Sequence, residues 1–352
     1  MNIFGRRRAF QLVAGAVAYA LTAPKILRGD DSAHTLKLYT WADYFDPDLI
    51  AAFEQAESCK VEIETFSSNE ELFANLDAGQ FKYDLLTPSS YMATLLQRMK
   101  KLQPLDLKRI PNAKHLEQDY LTTCDDERME YSVPFEFSVS GIGFFPDRYT
   151  PKTSAWSSLQ SPKVAHRYTV LDDMREVIGA ALKSLGKSVN SRDSVELEAA
   201  KKVAAEWVKG SRRFDSDTYR FNLIAGEDLI AHGYSGDFIA DKVRNKNLGF
   251  FIPEEGAPMA CDDFCIPADC SNAELGHKFI DYFCNPKVAA ENMKWSGFRA
   301  PVSGARDLLP AQLRSSEILF PSKDHLARCE VLRDLGDALK QWEEIWIALI
   351  NG

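Results

Sequence analysis

Apolar and polar positions first alternate at Leu36, Leu38 and Thr40 against Lys37, Tyr39 and Trp41, the two-residue period of a strand. The run closes at Asp46-Pro47, an N-cap residue followed by proline at the first helical position, and Leu49, Ile50 and Phe53 then share one helical face. Residues 61–66 alternate again. Ser68 or Asn69 opens a second helix carrying Leu72, Phe73 and Leu76, which Ala78-Gly79 ends. Residues 83–87 form a short apolar strand stopped by Pro88, and Ser89-Ser90-Tyr91 opens a third helix reaching Leu96 and Met99. Three strand–helix units in a row predict an α/β fold, with a parallel sheet covered by helices on both faces.

Residues 131–135 and 141–145 read as two further strands joined by a polar link. After Trp156 the pattern restarts with a buried strand over 168–171. Asp172-Asp173-Met174-Arg175-Glu176 begins a helix closed by Gly186, and another helix covers 195–209. Residues 228–234 are a strand entering a loop, and Gly236-Asp237 starts a helix. Phe250-Phe251-Ile252-Pro253 and Phe264-Cys265-Ile266-Pro267 bracket a loop rich in Gly, Pro and acids. From Leu275 onward the chain is mainly helical, and an amphipathic helix over 332–350 ends it. There is no internal repeat and no low-complexity segment.

A chain of 352 residues is long enough for two domains, and 45% apolar with 26% charged residues is a soluble-globular composition. Met1 to Ala23 stands apart. Arg6, Arg7 and Arg8 precede a mostly apolar run that is too short for a membrane span of about 20 residues, so residues 1–23 are expected to be an export signal. Arg7-Arg8-Ala9-Phe10-Gln11-Leu12 has the form of a twin-arginine signal, which would mean export after folding, with the general secretory route as the alternative. Losing those three arginines takes the formal charge from −9 to about −12. An acidic chain weighs against a nucleic-acid partner and suits a cationic small ligand. Seven cysteines, at 59, 124, 261, 265, 270, 284 and 329, are an odd number; with no zinc spacing they read as one or two disulfides or as buried thiols. No metal and no cofactor is expected.

The chemistry is concentrated where strands end. An indole, a carboxylate and a phenol at Trp41, Asp43 and Tyr44 lie at the carboxyl end of a strand, where open α/β sheets bind ligands. That grouping suits a cation held between a π-face and a counter-charge, although the same residues could pack the core and cap the next helix. Asp173 and Glu176 have capping-box spacing, which needs no ligand. A hydrolase using Asp173 or Glu176 with Asp237 as acid and base is a rival reading. No nucleophile elbow, phosphate loop or metal signature accompanies those acids.

Six motifs occur in an order that resembles the bacterial polyamine-binding proteins of ABC uptake systems, of the spermidine/putrescine type. They are Tyr39-Thr40-Trp41-Ala42-Asp43-Tyr44, Tyr83-Asp84-Leu85-Leu86-Thr87-Pro88-Ser89-Ser90-Tyr91, Tyr131-Ser132-Val133-Pro134, Asp172-Asp173-Met174-Arg175-Glu176-Val177, Tyr234-Ser235-Gly236-Asp237 and Gly297-Phe298-Arg299-Ala300-Pro301. The resemblance covers roughly Leu36 to Gly352. It implies a periplasmic binding protein type II-like fold of two α/β lobes with the ligand cleft between them. The first lobe would hold 34–138 and a return at 261–310. The second would hold 139–260 and most of the C-terminal helices, 311–352. Crossings would fall near 137–140 and 259–262.

The resemblance also implies an exported, periplasmic, monomeric binder that delivers putrescine or spermidine to an inner-membrane ABC permease and is not an enzyme. Thiamine or ferric iron on the same fold is the alternative. Carried over residue by residue, the ligand wall would be Trp41, Asp43, Tyr44, Ser89 and Tyr91 from the first lobe. Asp173, Glu176, Ser216, Tyr234 and Asp237 would come from the second, with Asp262 at the junction and Phe298 as an aromatic. Three positions depart from the family pattern: Ala260 replaces an aromatic, Leu332 a Gln, and Phe298 a Tyr. Asp43 with Asp237 looks like the putrescine type and Asp173 like the spermidine type.

Overall fold

The computed structural model describes residues 34–351 apart from 80, 81, 122–124 and 246, so the leader and Cys124 lie outside the described residues. The first strands and helices alternate: β1 (Thr35–Thr40), α1 (Pro47–Glu57), β2 (Lys60–Thr65), α2 (Asn69–Ala78), β3 (Leu85–Leu86) and α3 (Ser90–Arg98). β2 and β3 pair parallel on either side of β1. Local chemistry sets the boundaries. Asp46 caps α1, its carboxylate accepting from the Asp48 amide; Ser68 caps α2; and Gly79 ends α2 at φ 63, a conformation that costs glycine nothing.

After the short α4 (Gln118–Leu121) comes β4 (Ser132–Phe144), followed by β5 (Tyr168–Val170), α5 (Met174–Ser184), α6 (Ser194–Gly210) and β6 (Arg213–Phe214). Next are α7 (Tyr219–Ala225), β7 (Ile230–Tyr234), α8 (Ser235–Arg244), β8 (Gly249–Phe251) and β9 (Pro258–Cys265). α9 (Ala273–Phe283) and α10 (Pro286–Ser296) lead into the short α11 (Ala305–Leu308), α12 (Ala311–Arg314) and α13 (Lys323–Leu326), then β10 (Glu330–Val331) and α14 (Leu339–Ile350). The strands run β2-β1-β3-β9-β4-β7-β5-β6, with β8 beside β4 and β10 beside β9.

β4 and β9 join two lobes. Over Ser132 to Val139, β4 pairs antiparallel with β9; from Ser140 to Phe144 it pairs with β7. Phe135 of β4 and Phe264 of β9 pack into a core with Phe45, Phe53, Phe279 and Phe283. Phe137 and Ile142 of β4, with Met259 and Cys261 of β9, pack into a second core around Trp156, Tyr168, Trp207 and Trp342. Each large buried apolar side chain contributes about 1.5–3 kcal/mol, so both lobes have ample cores of their own.

Three expectations are corrected. Residues 131–135 and 141–145 are not two strands but parts of the single strand β4, because Ser138 and Ser140 are buried and stay in the ladder. The acid-rich loop before Phe264 is largely strand: β9 carries Asp262 and Asp263 inside it, both buried. The last helix begins at Leu339, not 332, because 330–331 pair with β9 and Gly336 (φ 55) interrupts the chain after them. Among the described cysteines, Cys59, Cys265, Cys284 and Cys329 are buried thiols and Cys270 is a half-buried one. No helix among the described residues is long and apolar enough to cross a membrane.

Candidate functional site

The loops that follow β1, β5 and β7 meet α3, β9 and the turn after α10 around one cavity of about 290 Å³. Trp41, Asp43 and Tyr44 enter it from the turn after β1, and Ser89 and Tyr91 from the start of α3. Asp173 and Glu176 enter from the N-terminus of α5, Ser216 from the loop after β6, and Tyr234 and Asp237 from the β7–α8 junction. Asp262 reaches it from β9 and Phe298 from the turn after α10. All twelve residues singled out in the sequence therefore line the same space. Ala260 and Leu332, the positions of two departures, line it as well.

Asp262 is held from two sides. Ser89 Oγ donates to Oδ1 at 2.7 Å and Tyr44 donates from its phenol to Oδ2 at 2.5 Å. Ser89 occupies the N-cap position of α3 but makes no side-chain capping bond there, since its hydroxyl is turned to Asp262. Burial pushes Asp262 up to about 6, and the hydrogen bonds it accepts work against that rise. Asp173 is the N-cap of α5, its Oδ1 accepting from the amides of Arg175 and Glu176 at 2.8 and 3.0 Å. Its other oxygen accepts from Tyr234 at 3.4 Å.

Glu176 differs from these acids. It is 1% exposed, and its Oε2 has no hydrogen-bond partner among the described residues. Burial first, and Asp173 beside it second, push its carboxyl up to about 8. The walls around these acids are aromatic. Trp41 packs on Phe66 with ring centres 4.4 Å apart, and Tyr44 lies 5.2 Å from Phe298. Arg175 opposes the rise at Glu176, yet Oε2 has no donor, and an incoming cation with N–H groups is what would restore charge and hydrogen bonding together there.

Arg220 was not singled out in the sequence. It lies on α7 and lines the cavity, with Nη2 2.9 Å from Asp43 Oδ2 and Nη1 3.2 Å from Asp237 Oδ1. Its Nε is 4.0 Å from Asp241 Oδ2. The other oxygen of Asp237 accepts from the Tyr219 phenol at 2.5 Å. Burial raises the Asp237 carboxyl, and Arg220 opposes that. Asn69 was missed too; its amide donates to Ser89 Oγ at 3.1 Å and to Tyr91 at 2.9 Å, fixing both. The one sequence signal for Arg220 was its place four residues after Ser216. Nothing marked Asn69 beyond its candidacy as a helix cap. Ser216 Oγ accepts from the Asp172 amide at 2.9 Å and so braces the loop before α5.

Two α/β lobes crossed by paired strands, with an aromatic and acidic cavity between them, define a solute-binding protein. The chain belongs to the bacterial extracellular solute-binding protein family, whose pattern it matches over residues 48–321. It is similar to the spermidine/putrescine-binding periplasmic protein of Salmonella typhimurium, with 30% identity over 343 residues and 97% of each chain covered. It is also similar to the putrescine/cadaverine-binding protein of Pseudomonas aeruginosa, with 30% identity covering 89% of this chain and 94% of the relative. Among solved structures, a putative spermidine/putrescine ABC transporter from Listeria monocytogenes matches with a TM-score of 0.84 and 30% identity, covering 90% of this chain and 98% of that one.

Proposed function

We propose that this protein captures a short polyamine, putrescine or spermidine, outside the cytoplasm and delivers it to an inner-membrane ABC permease. The observation that carries the reading is the Glu176 carboxylate, buried in the cavity with Oε2 unpartnered and aromatic walls around it. A protonated amine supplies the missing donors, and charge-assisted hydrogen bonds in a desolvated cleft are the strong ones. Asp262 and Asp173 give a second ammonium its counter-charge, while Trp41, Tyr234 and Phe298 cover the methylenes. Trp41, Asp43, Tyr44, Ser89, Tyr91 and Asp262 act from one side, and Asp173, Glu176, Ser216, Tyr234 and Asp237 from the other. A ligand touching both sides binds the closed form more tightly and so favours closure, which a permease can read.

The names of the relatives support this reading and a periplasmic site of action. The lobes divide as 34–138 with 261–310, and 139–260 with most of 311–352. The protein works as a monomer without a cofactor. A carboxylate-pair hydrolase fits less well, because Asp237 is already engaged by Arg220 and Tyr219. Export runs by the twin-arginine route: Cys59, Cys265, Cys284 and Cys329 are buried thiols, and folding before export shields them from oxidation. Calorimetry of the mature protein against putrescine, cadaverine, spermidine and spermine tests the function. Micromolar or tighter binding of one of them is expected, and binding of none overturns the reading.

A further inference from the structure

The cavity's acids fall into two groups with different fates. Asp173 and Asp262 both raise the Glu176 carboxyl, and Asp173 raises that of Asp262. The buried Arg175 guanidinium opposes the rise at Asp173 and Glu176 but donates its Nη1 and Nη2 to the Arg333 carbonyl and Asn190, and Glu176 Oε2 is unpartnered. Asp43 and Asp237 belong to another group, whose charge interactions run to Arg220 and Asp241 instead. Arg220 forks across that second group, one nitrogen on each carboxylate, and is itself only 15% exposed at the side chain. Its charge is held in place: burial works against the guanidinium, but Asp237 and Asp241 outweigh it and Arg220 is held more basic than usual. Tyr44, which feels both Asp262 and Asp237, lies between the groups.

We infer that Arg220 is a specificity residue that sets how many ammonium groups the cavity accepts, excluding a third by occupying Asp43 and Asp237 itself. The inference rests on the polyamine reading above. A diamine's two ammoniums have Glu176 with Asp173 and Asp262 to pair with. A triamine must leave its third ammonium without a counter-charge or displace a guanidinium that is already bidentate, a geometry a flexible ammonium matches poorly. The protein therefore favours diamines over triamines. Asp43 and Asp237 look like ligand residues in the sequence, yet the chain supplies its own cation to them.

The ratio of dissociation constants, spermidine over putrescine, tests this in the wild type, Arg220→Gln and Arg220→Lys. Any part Arg220 plays in closing the lobes enters both constants alike and cancels in the ratio. Freeing one buried carboxylate for a charged donor is expected to lower the ratio about tenfold or more in Arg220→Gln. Arg220→Lys keeps a cation beside Asp237 but cannot fork across two carboxylates, so it is expected to lower the ratio less. If Arg220→Gln shows no cooperative melting, the lysine variant carries the test. A ratio that is unchanged or rises overturns the inference while leaving the polyamine reading intact. If no form binds any amine, the polyamine reading falls, and this inference with it.

Discussion

Tyr44 donates a hydrogen bond of 2.5 Å to Asp262 Oδ2, tying the turn after the first strand to a strand 218 residues further along the chain. The bond makes the charge on Asp262 dependent on a residue from the other end of the first lobe's sequence. Burial alone would favour the neutral acid, and donors from Tyr44 and Ser89 hold its carboxyl to about 6.

Tyr44→Phe should therefore act through that charge. Hydrogen bonds to charged groups contribute about 1.5–3 kcal/mol, about 1–2 pH units at the Asp262 carboxyl. The ionised fraction at pH 7, and with it putrescine affinity, is expected to fall about 2- to 15-fold. The acid limb of the affinity–pH profile should also move to higher pH, since the Asp262 carboxyl loses a donor that stabilises its anion. Calorimetry across pH 5 to 8 reads both. An unchanged profile would mean that the hydroxyl only fills space.

Gly236 supports Phe298 by absence. A Cβ there would lie 2.4–2.6 Å from atoms of the Phe298 ring, in the first turn of α8. Gly236→Ala gains about 0.5–1 kcal/mol of helix preference but forces an overpacked contact costing typically about 1–3 kcal/mol. The melting temperature is expected to drop by a few degrees and amine affinity to fall with it, because Phe298 lines the cavity. A rise in melting temperature with unchanged affinity would show that the ring yields freely.

The leader carries a prediction of its own. Changing both Arg7 and Arg8 to Lys is expected to leave the precursor in the cytoplasm, as fractionation and immunoblotting would show. Normal export of that variant points to the general secretory route, in which the buried thiols must survive an oxidising compartment while unfolded.

Local signals were legible where one residue decides the conformation. Asp46-Pro47 begins α1, Ser68 begins α2 and Gly79 ends it, all as the sequence indicates. The wall of the cavity was legible through motif order rather than through periodicity, and all twelve candidates line it. What was not legible depends on long-range pairing. Ser138 and Ser140 look like a link, and only the ladders with β9 and β7 keep them in a strand. Asp262 and Asp263 look like loop acids until β4 buries them. Arg220 looks like one more surface cation until Asp43, 177 residues away, comes within 2.9 Å of it. Asp173 and Glu176 have the spacing of a capping box, but only Asp173 makes a capping bond, which leaves Glu176 for other work.

Glu176 offers the sharpest test of that work. In the folded protein its carboxyl is pushed up to about 8, above the ordinary value of 4.5. Between about pH 4.5 and 8 the folded state therefore holds a proton that the unfolded chain has lost. The native state binds more protons there, so stability of the empty protein falls as pH rises through that window and levels off above it. Glu176→Gln cannot ionise and removes this slope. At pH 8 the empty variant should melt at a higher temperature than the wild type, by an amount on the order of 1–4 kcal/mol in stability. With ligand the sign reverses. Removing one partner of a desolvated charge pair costs about 2–5 kcal/mol, so the same variant should bind putrescine about 30- to several-thousand-fold more weakly. An ammonium at Glu176 also holds the carboxylate ionised, so the wild type should release about one proton per putrescine bound near pH 7. Calorimetry in two buffers of different ionisation enthalpy counts that proton. No proton release, together with unchanged affinity in Glu176→Gln, would place the amine elsewhere in the cavity.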